Sequence, residues 1–204
     1  MIKAILFDLG NVLMNFDADK IALNFQKFFP VVDAKRFEDF VATSIMPYER
    51  GDFGTDAFLQ KLSEISPEIA SISSAILQKL WSDIFREHEE NIRLLPQLSG
   101  SYKLIMVSNT NPMHIDFLKA NHPQVFAPFD DFIFSYEVHA AKPDAAMYLH
   151  AVERSGVAPD ECLFIDDKAE NIDAARTLGI GTCFFTGTEN LECMLRNIGI
   201  KFGE

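Results

Sequence analysis

Cysteine is scarce in this chain, with three residues among 204: Cys162, Cys183 and Cys193. An odd set without metal-ligand spacing excludes a disulfide framework, so the three are read as small buried hydrophobes in a reducing compartment. Positive charge is short as well. Lys and Arg total 18 against 30 Asp and Glu, giving a net charge of -12. Without a basic cluster, nucleic acid is excluded as a partner. No apolar run approaches bilayer length, and the N-terminal one is broken by Asp8 before it can act as a signal segment. Neither a membrane partner nor export is expected, and the reading is a cytoplasmic protein. Repeats and low-complexity segments are missing too. What remains, 48% hydrophobic and 24% charged, is the balance of a folded globular chain long enough to bury a substantial core.

The stretch that organises the rest is AILFDLGNVL, Ala4 to Leu13. A β-prone apolar run ends in Asp8 and is followed by Gly10 and Asn11, which suit a tight turn. In open parallel sheets ligands bind outside the carboxyl ends of the strands, which is where this carboxylate falls. After Asn15 the pattern turns helical. Asp17 suits an N-cap, and Ile21, Phe25, Phe28 and Phe29 share a face until Pro30 interrupts. Asp33 caps a second helix carrying Phe37, Phe40 and Val41, and MPYERGDFG reads as a loop. A helix from about Thr55 presents Phe58, Leu62 and Ile65. Ser66 and Pro67, in the order N-cap then N1, open a longer helix with Ile69, Ile72, Ile76, Leu80 and Ile84 inward. Through this region no strand is expected.

From Lys103 onward strand and helix alternate. Lys103 to Val107 stops at Ser108, Asn109 and Thr110, with Asn111 and Pro112 starting a helix through Lys119. Phe132 to Phe134 ends at Ser135 and leads to a loop with His139 and Lys142. Cys162 to Ile165 ends at Asp166 and Asp167, and Thr182 to Phe185 makes the fifth run. The fold class is therefore α/β, a doubly wound parallel five-stranded sheet. The separation between the first two strands far exceeds a crossover, so it holds an inserted α-helical cap that can serve as a lid. The expected division is a Rossmann-like core, 1–15 and 90–204, and a cap, 16–89.

The strand ends gather one chemistry. Three carboxylates, Asp8, Asp166 and Asp167, repel one another at a single sheet edge unless a hard divalent cation joins them, and Mg²⁺ prefers such oxygen ligands while keeping waters for a phosphate. The Ser108 hydroxyl, the Asn109 amide and Lys142 supply donors for phosphoryl oxygens. Phosphoryl transfer on a small-molecule phosphate ester is the implied reaction.

With these motifs in order, FDLGNVL, VSNT, AKPD and FIDDKAENIDAA, the chain resembles the haloacid dehalogenase-like hydrolase superfamily, in the branch with a helical cap after the first strand. The SNTNP and AKPDAAMY segments are most similar to the sugar-phosphate phosphatases that include α-glucose-1-phosphatases and the phosphatase domain of soluble epoxide hydrolases. The resemblance implies a Mg²⁺-dependent phosphatase with Asp8 as nucleophile and an aspartyl-phosphate intermediate. It makes Ser108 and Lys142 holders of the phosphoryl group, Asp167 a direct metal ligand and Asp166 a water-mediated one. It also implies a strand order, counting the five core strands, of 5-4-1-2-3.

One position departs from the pattern. The family's first motif carries a second Asp as general acid, and here that residue is Gly10. The Gly10 backbone carbonyl still serves as a metal ligand, but the acid is missing, and general acid help is commonly worth about a hundredfold to ten-thousandfold. A dehalogenase and a non-catalytic phosphate-binding relative are the alternatives. The favoured reading is a phosphatase for easily expelled leaving groups, such as a sugar-1-phosphate, with phenols and acyl groups in the same class. Asp17 is a candidate substitute acid, and Glu49 and Arg50 are candidate specificity residues in the cap. His139 is read as structural or solvent-facing, and the cap phenylalanines as that unit's own core.

Overall fold

The computed structural model describes residues 1–17, 19–29 and 33–203. In chain order it runs β1 (Ala4–Phe7), β2 (Met14–Phe16), α1 (Asp19–Phe28), α2 (Ala34–Glu49), α3 (Thr55–Ser63), α4 (Pro67–Ala70), α5 (Ser74–Ser82) and β3 (Phe85–Glu87). It continues with α6 (Glu89–Ile92), α7 (Leu95–Ser99), β4 (Lys103–Ser108), α8 (Pro112–Asn121), α9 (Pro123–Phe126), β5 (Asp131–Phe134) and α10 (Ser135–Val138). The last elements are α11 (Ala145–Ser155), β6 (Cys162–Asp166), α12 (Ala169–Thr177), β7 (Gly181–Phe184) and α13 (Leu191–Asn197).

The main sheet is parallel, in the order β5-β4-β1-β6-β7, which is the expected 5-4-1-2-3 when only core strands are counted. β1 lies at its centre because all four of its residues are apolar and can be covered on both faces. Ile5 and Phe7 enter one cluster with Leu104, Met106 and Ile165, while Ala4 and Leu6 enter the opposite one with Ile105, Val107 and Phe164. Burying a side chain such as Leu6 completely contributes roughly 1.5–3 kcal/mol. The register fixes the chemistry. Phe7 pairs with both Met106 and Ile165, so Asp8 emerges at the carboxyl edge beside the ends of β4 and β6.

The helices between β2 and β3 pack around a separate aromatic cluster centred on Trp81, whose ring lies 4.7, 6.1 and 6.3 Å from those of Phe58, Phe40 and Phe25. Met113 of α8 joins this cluster and docks it onto the core. Asp33 caps α2 as expected, accepting from the amides of Lys35 and Arg36. The Pro30 break lies outside the described residues.

Several expectations need correction. Residues 46–49 of the supposed loop are the last turn of α2, which continues through Pro47 because Asp33 and the buried Phe37, Phe40, Ser44 and Tyr48 hold it from one side. The long helix from Ser66 is two helices, and α5 turns Leu77, Leu80 and Trp81 inward while Ile76 is exposed. Phe28 is exposed as well, since Ile21, Phe25 and Phe29 already fill the inward face at four-residue spacing. The cap region was expected to lack strands, yet β2 and β3 pair antiparallel where the chain leaves and re-enters the core. Three residues are too few to display alternation. Cys193 is exposed, unlike Cys162 and Cys183. Among the described residues no helix is long and apolar enough to cross a membrane.

Candidate active site

At the sheet's carboxyl edge Lys142 lies between two carboxylates. Its Nζ is 2.7 Å from Asp8 Oδ1 and 2.7 Å from Asp166 Oδ2, with all three residues buried. Burial pushes the Asp8 carboxyl up to about 6 against the pull of Lys142, so it is largely ionised at neutral pH. Burial alone lowers a lysine, but the two carboxylates outweigh it and hold the Lys142 ammonium above its ordinary range. Asp8 Oδ1 also accepts the Leu9 amide at 2.7 Å. Among the described residues, Oδ2 of Asp8 has no hydrogen-bond donor, while Oδ1 is engaged by Leu9 and Lys142.

Asp166 and Asp167 have separate surroundings. Asp166 is fully enclosed and accepts from Lys142, the Lys168 amide and the Asn171 side chain, which reaches both oxygens at 2.9 and 3.1 Å. The Tyr148 hydroxyl donates to the Asn171 carbonyl at 3.0 Å, extending this support to α11. Asp167 is only half-buried, and its Oδ2 accepts from Asn11 Nδ2 at 2.9 Å. Carboxylate oxygens of Asp8, Asp166 and Asp167 all lie within 4.8 Å of one another, a hard oxygen set suited to a divalent cation.

The Asn109 carboxamide faces the Lys142 backbone. Its Oδ1 accepts the Lys142 amide at 2.7 Å and its Nδ2 donates to the Lys142 carbonyl at 2.9 Å, clamping that lysine's backbone. Ser108 Oγ reaches only the Asn109 carbonyl, at 3.5 Å, and so remains free for a ligand. A cavity of about 70 Å³ opens over Asp8, Ser108, Lys142 and Asp167. A larger one of about 210 Å³ adjoins it through Gly10, Phe16, Ser108 and Asn109 and extends beneath the cap.

The cap candidates separate. Glu49 lines the larger cavity, where burial pushes its carboxyl up to about 7 against the opposing charge of Lys168. Arg50 instead bridges to Asp144 at 3.0 Å, and its carbonyl accepts from His139 Nδ1 at 3.1 Å. Both contacts join cap to core, giving His139 the structural role expected of it. Asp17 is exposed, 4.0 Å from Lys20, and lines neither of these cavities. Asn11, read from the sequence only as a turn residue, joins the site, as do Phe16, Trp81, Asn171 and His114, which no sequence pattern marks. Asn11 has a φ of 54, a left-handed conformation asparagine tolerates, and sits directly after Gly10. Asn171 is five residues beyond Asp166 at the start of α12, a helical offset that returns its side chain to the strand end.

A family model described as haloacid dehalogenase-like hydrolase matches residues 2–179. D-ribitol-5-phosphate phosphatase of Bacteroides thetaiotaomicron is 28% identical over 193 residues, 89% of this chain and 91% of that protein. A crystal structure of a HAD family enzyme from the same organism superposes with a TM-score of 0.85 at 27% identity, covering 96% of this chain and 98% of the other. The wild-type complex of a HAD family enzyme from that organism with magnesium and inorganic phosphate gives 0.82 at 28% identity, covering 96% and 100%.

Proposed function

The chain belongs to the haloacid dehalogenase-like hydrolase family, as a phosphatase of phosphorylated small molecules with Mg²⁺ as cofactor, and from this we propose an aspartyl-phosphate mechanism on Asp8 that favours easily expelled leaving groups. The observation that carries the reading is the Asp8–Lys142–Asp166 arrangement, which keeps a buried carboxylate ionised with one oxygen unpaired. The unpaired Asp8 Oδ2 attacks phosphorus, the bond from phosphorus to the leaving oxygen breaks, and that oxygen departs with the electron pair. Lys142 and Ser108 hold the phosphoryl oxygens. Water then attacks phosphorus, the bond to Asp8 breaks, and inorganic phosphate and the free carboxylate result.

Asp8, Asp167 and the Gly10 carbonyl are the proposed metal ligands. Asp166, whose oxygens are engaged by Lys142, Lys168 and Asn171, contributes through water. When bound, Mg²⁺ offsets the carboxylate repulsion and the charge on the phosphoryl oxygens. Asn109 acts by placing Lys142, and the second N–H of its carboxamide stays available to phosphate.

Leaving-group preference rests on Gly10. With no carboxylate there, the departing oxygen leaves unprotonated, which an anomeric sugar, a phenol or an acyl group tolerates better than a primary alkoxide. Glu49 stands at the leaving-group side as the proposed specificity residue. Phosphate release from a panel of phosphorylated metabolites, with and without EDTA and beside Asp8→Asn, tests the proposal. Release that requires metal and is lost in Asp8→Asn supports it; release that survives in Asp8→Asn refutes the nucleophile assignment.

A further inference from the structure

The larger cavity, where the leaving group must lie, is walled by Phe16, Ile21, Ile45, Trp81, Ile84 and Phe85. Its amides are already engaged. Asn109 is bound at both ends by the Lys142 backbone, and Asn111 accepts from the His114 amide while donating to His114 Nδ1. Trp81 Nε1 and His114 Nε2 have no protein partner but are buried, with almost no accessible surface. Among the described residues this leaves the Glu49 carboxyl and the Ser108 and Thr110 hydroxyls as lining side-chain groups free to meet a ligand, and Ser108 is the one assigned to the phosphoryl group.

Resting on the phosphatase reading above, we propose that this cavity is built for an aromatic ring, and that aryl phosphate monoesters are preferred over phosphorylated sugars. A sugar brings several hydroxyls, and each one buried without a partner costs about 1–3 kcal/mol. A ring brings none and meets Phe16 and Phe85, whose own rings lie 6.2 Å apart at 49°. Phe16 belongs to both features. Its ring packs against Gly10, with Cε1 3.1 Å from where a Cβ would stand, so a residue of the apolar wall borders the position that lacks a second acid. A phenol, which leaves without much protonation, suits both features.

The test separates binding from leaving-group reactivity. Hydrolysis of acetyl phosphate by the Mg²⁺-loaded enzyme is measured against phenylphosphonate, methylphosphonate and glucose-1-phosphate as competitors. The inhibition constant for phenylphosphonate is expected to be about tenfold or more below the other two, the effect of burying one ring. Ile45→Asn is expected to reduce that advantage by about threefold or more. Trp81, the chain's single tryptophan, gives a second readout through fluorescence changes on adding phenylphosphonate. Equal constants for the two phosphonates, or tightest binding by glucose-1-phosphate, overturn the proposal. Absence of Mg²⁺- and Asp8-dependent acetyl phosphate hydrolysis overturns the phosphatase reading beneath it, and the proposal with it.

Discussion

Phe16 packs closely against the position a side chain on Gly10 would take: its Cε1 and Cδ1 lie 3.1 and 3.5 Å from an added Cβ. An acid introduced there requires the partly exposed ring to give by a few tenths of an ångström. Gly10→Asp alone is therefore expected to raise kcat/KM on glucose-6-phosphate less than the same change with the ring removed. Gly10→Asp with Phe16→Ala is expected to raise it by about a hundredfold, the lower end of general acid assistance. Steady-state kinetics on the two variants check this.

Lys142→Met removes the cation shared by Asp8 and Asp166 and leaves two buried carboxylates facing each other. Breaking a buried pair in this way costs ~3–5 kcal/mol. Denaturant unfolding in EDTA is expected to show a loss of that order, together with loss of phosphate release.

Asn109→Ala tests whether that amide positions Lys142 or binds substrate. Losing both backbone contacts lets the lysine shift, and a misplacement of about 1 Å is worth about a hundredfold in rate. The expected result is a fall in kcat with little change in KM. A rise in KM alone assigns the amide to substrate instead.

Glu49 makes stability depend on pH. Its folded value of about 7 lies above its ordinary 4.5, so the folded state favours the protonated acid. The stabilisation is present below 4.5 and is lost as pH rises through about 7. Glu49→Gln is expected to gain stability relative to the parent across that window, measured as the difference in unfolding midpoint at each pH in EDTA.

Much of this was legible in the sequence because parallel strands buried on both faces read as apolar runs ending at polar residues. Asp8, Ser108, Asp166 and the Lys142 loop were all visible in that way, and so was the insertion, from the distance between the first two strands. The sequence did not reveal how donors are distributed. Asn109 meets the Lys142 backbone and Asp166 its ammonium, contacts that no spacing in the sequence displays. The contact of Arg50 with Asp144 comes from docking of the cap, which leaves no local periodicity. Phe16 carries no sequence signal, because a lone aromatic in a short strand has no pattern, although its ring packs against residue 10.

Absence of a general acid is the claim most directly open to measurement. The ratio of kcat/KM on glucose-1-phosphate to that on glucose-6-phosphate compares an anomeric with a primary leaving group at the same phosphoryl site. The account predicts a clear preference for the 1-phosphate, narrowed in the Gly10→Asp, Phe16→Ala double variant. Equal rates, or a preference for the 6-phosphate, contradict it.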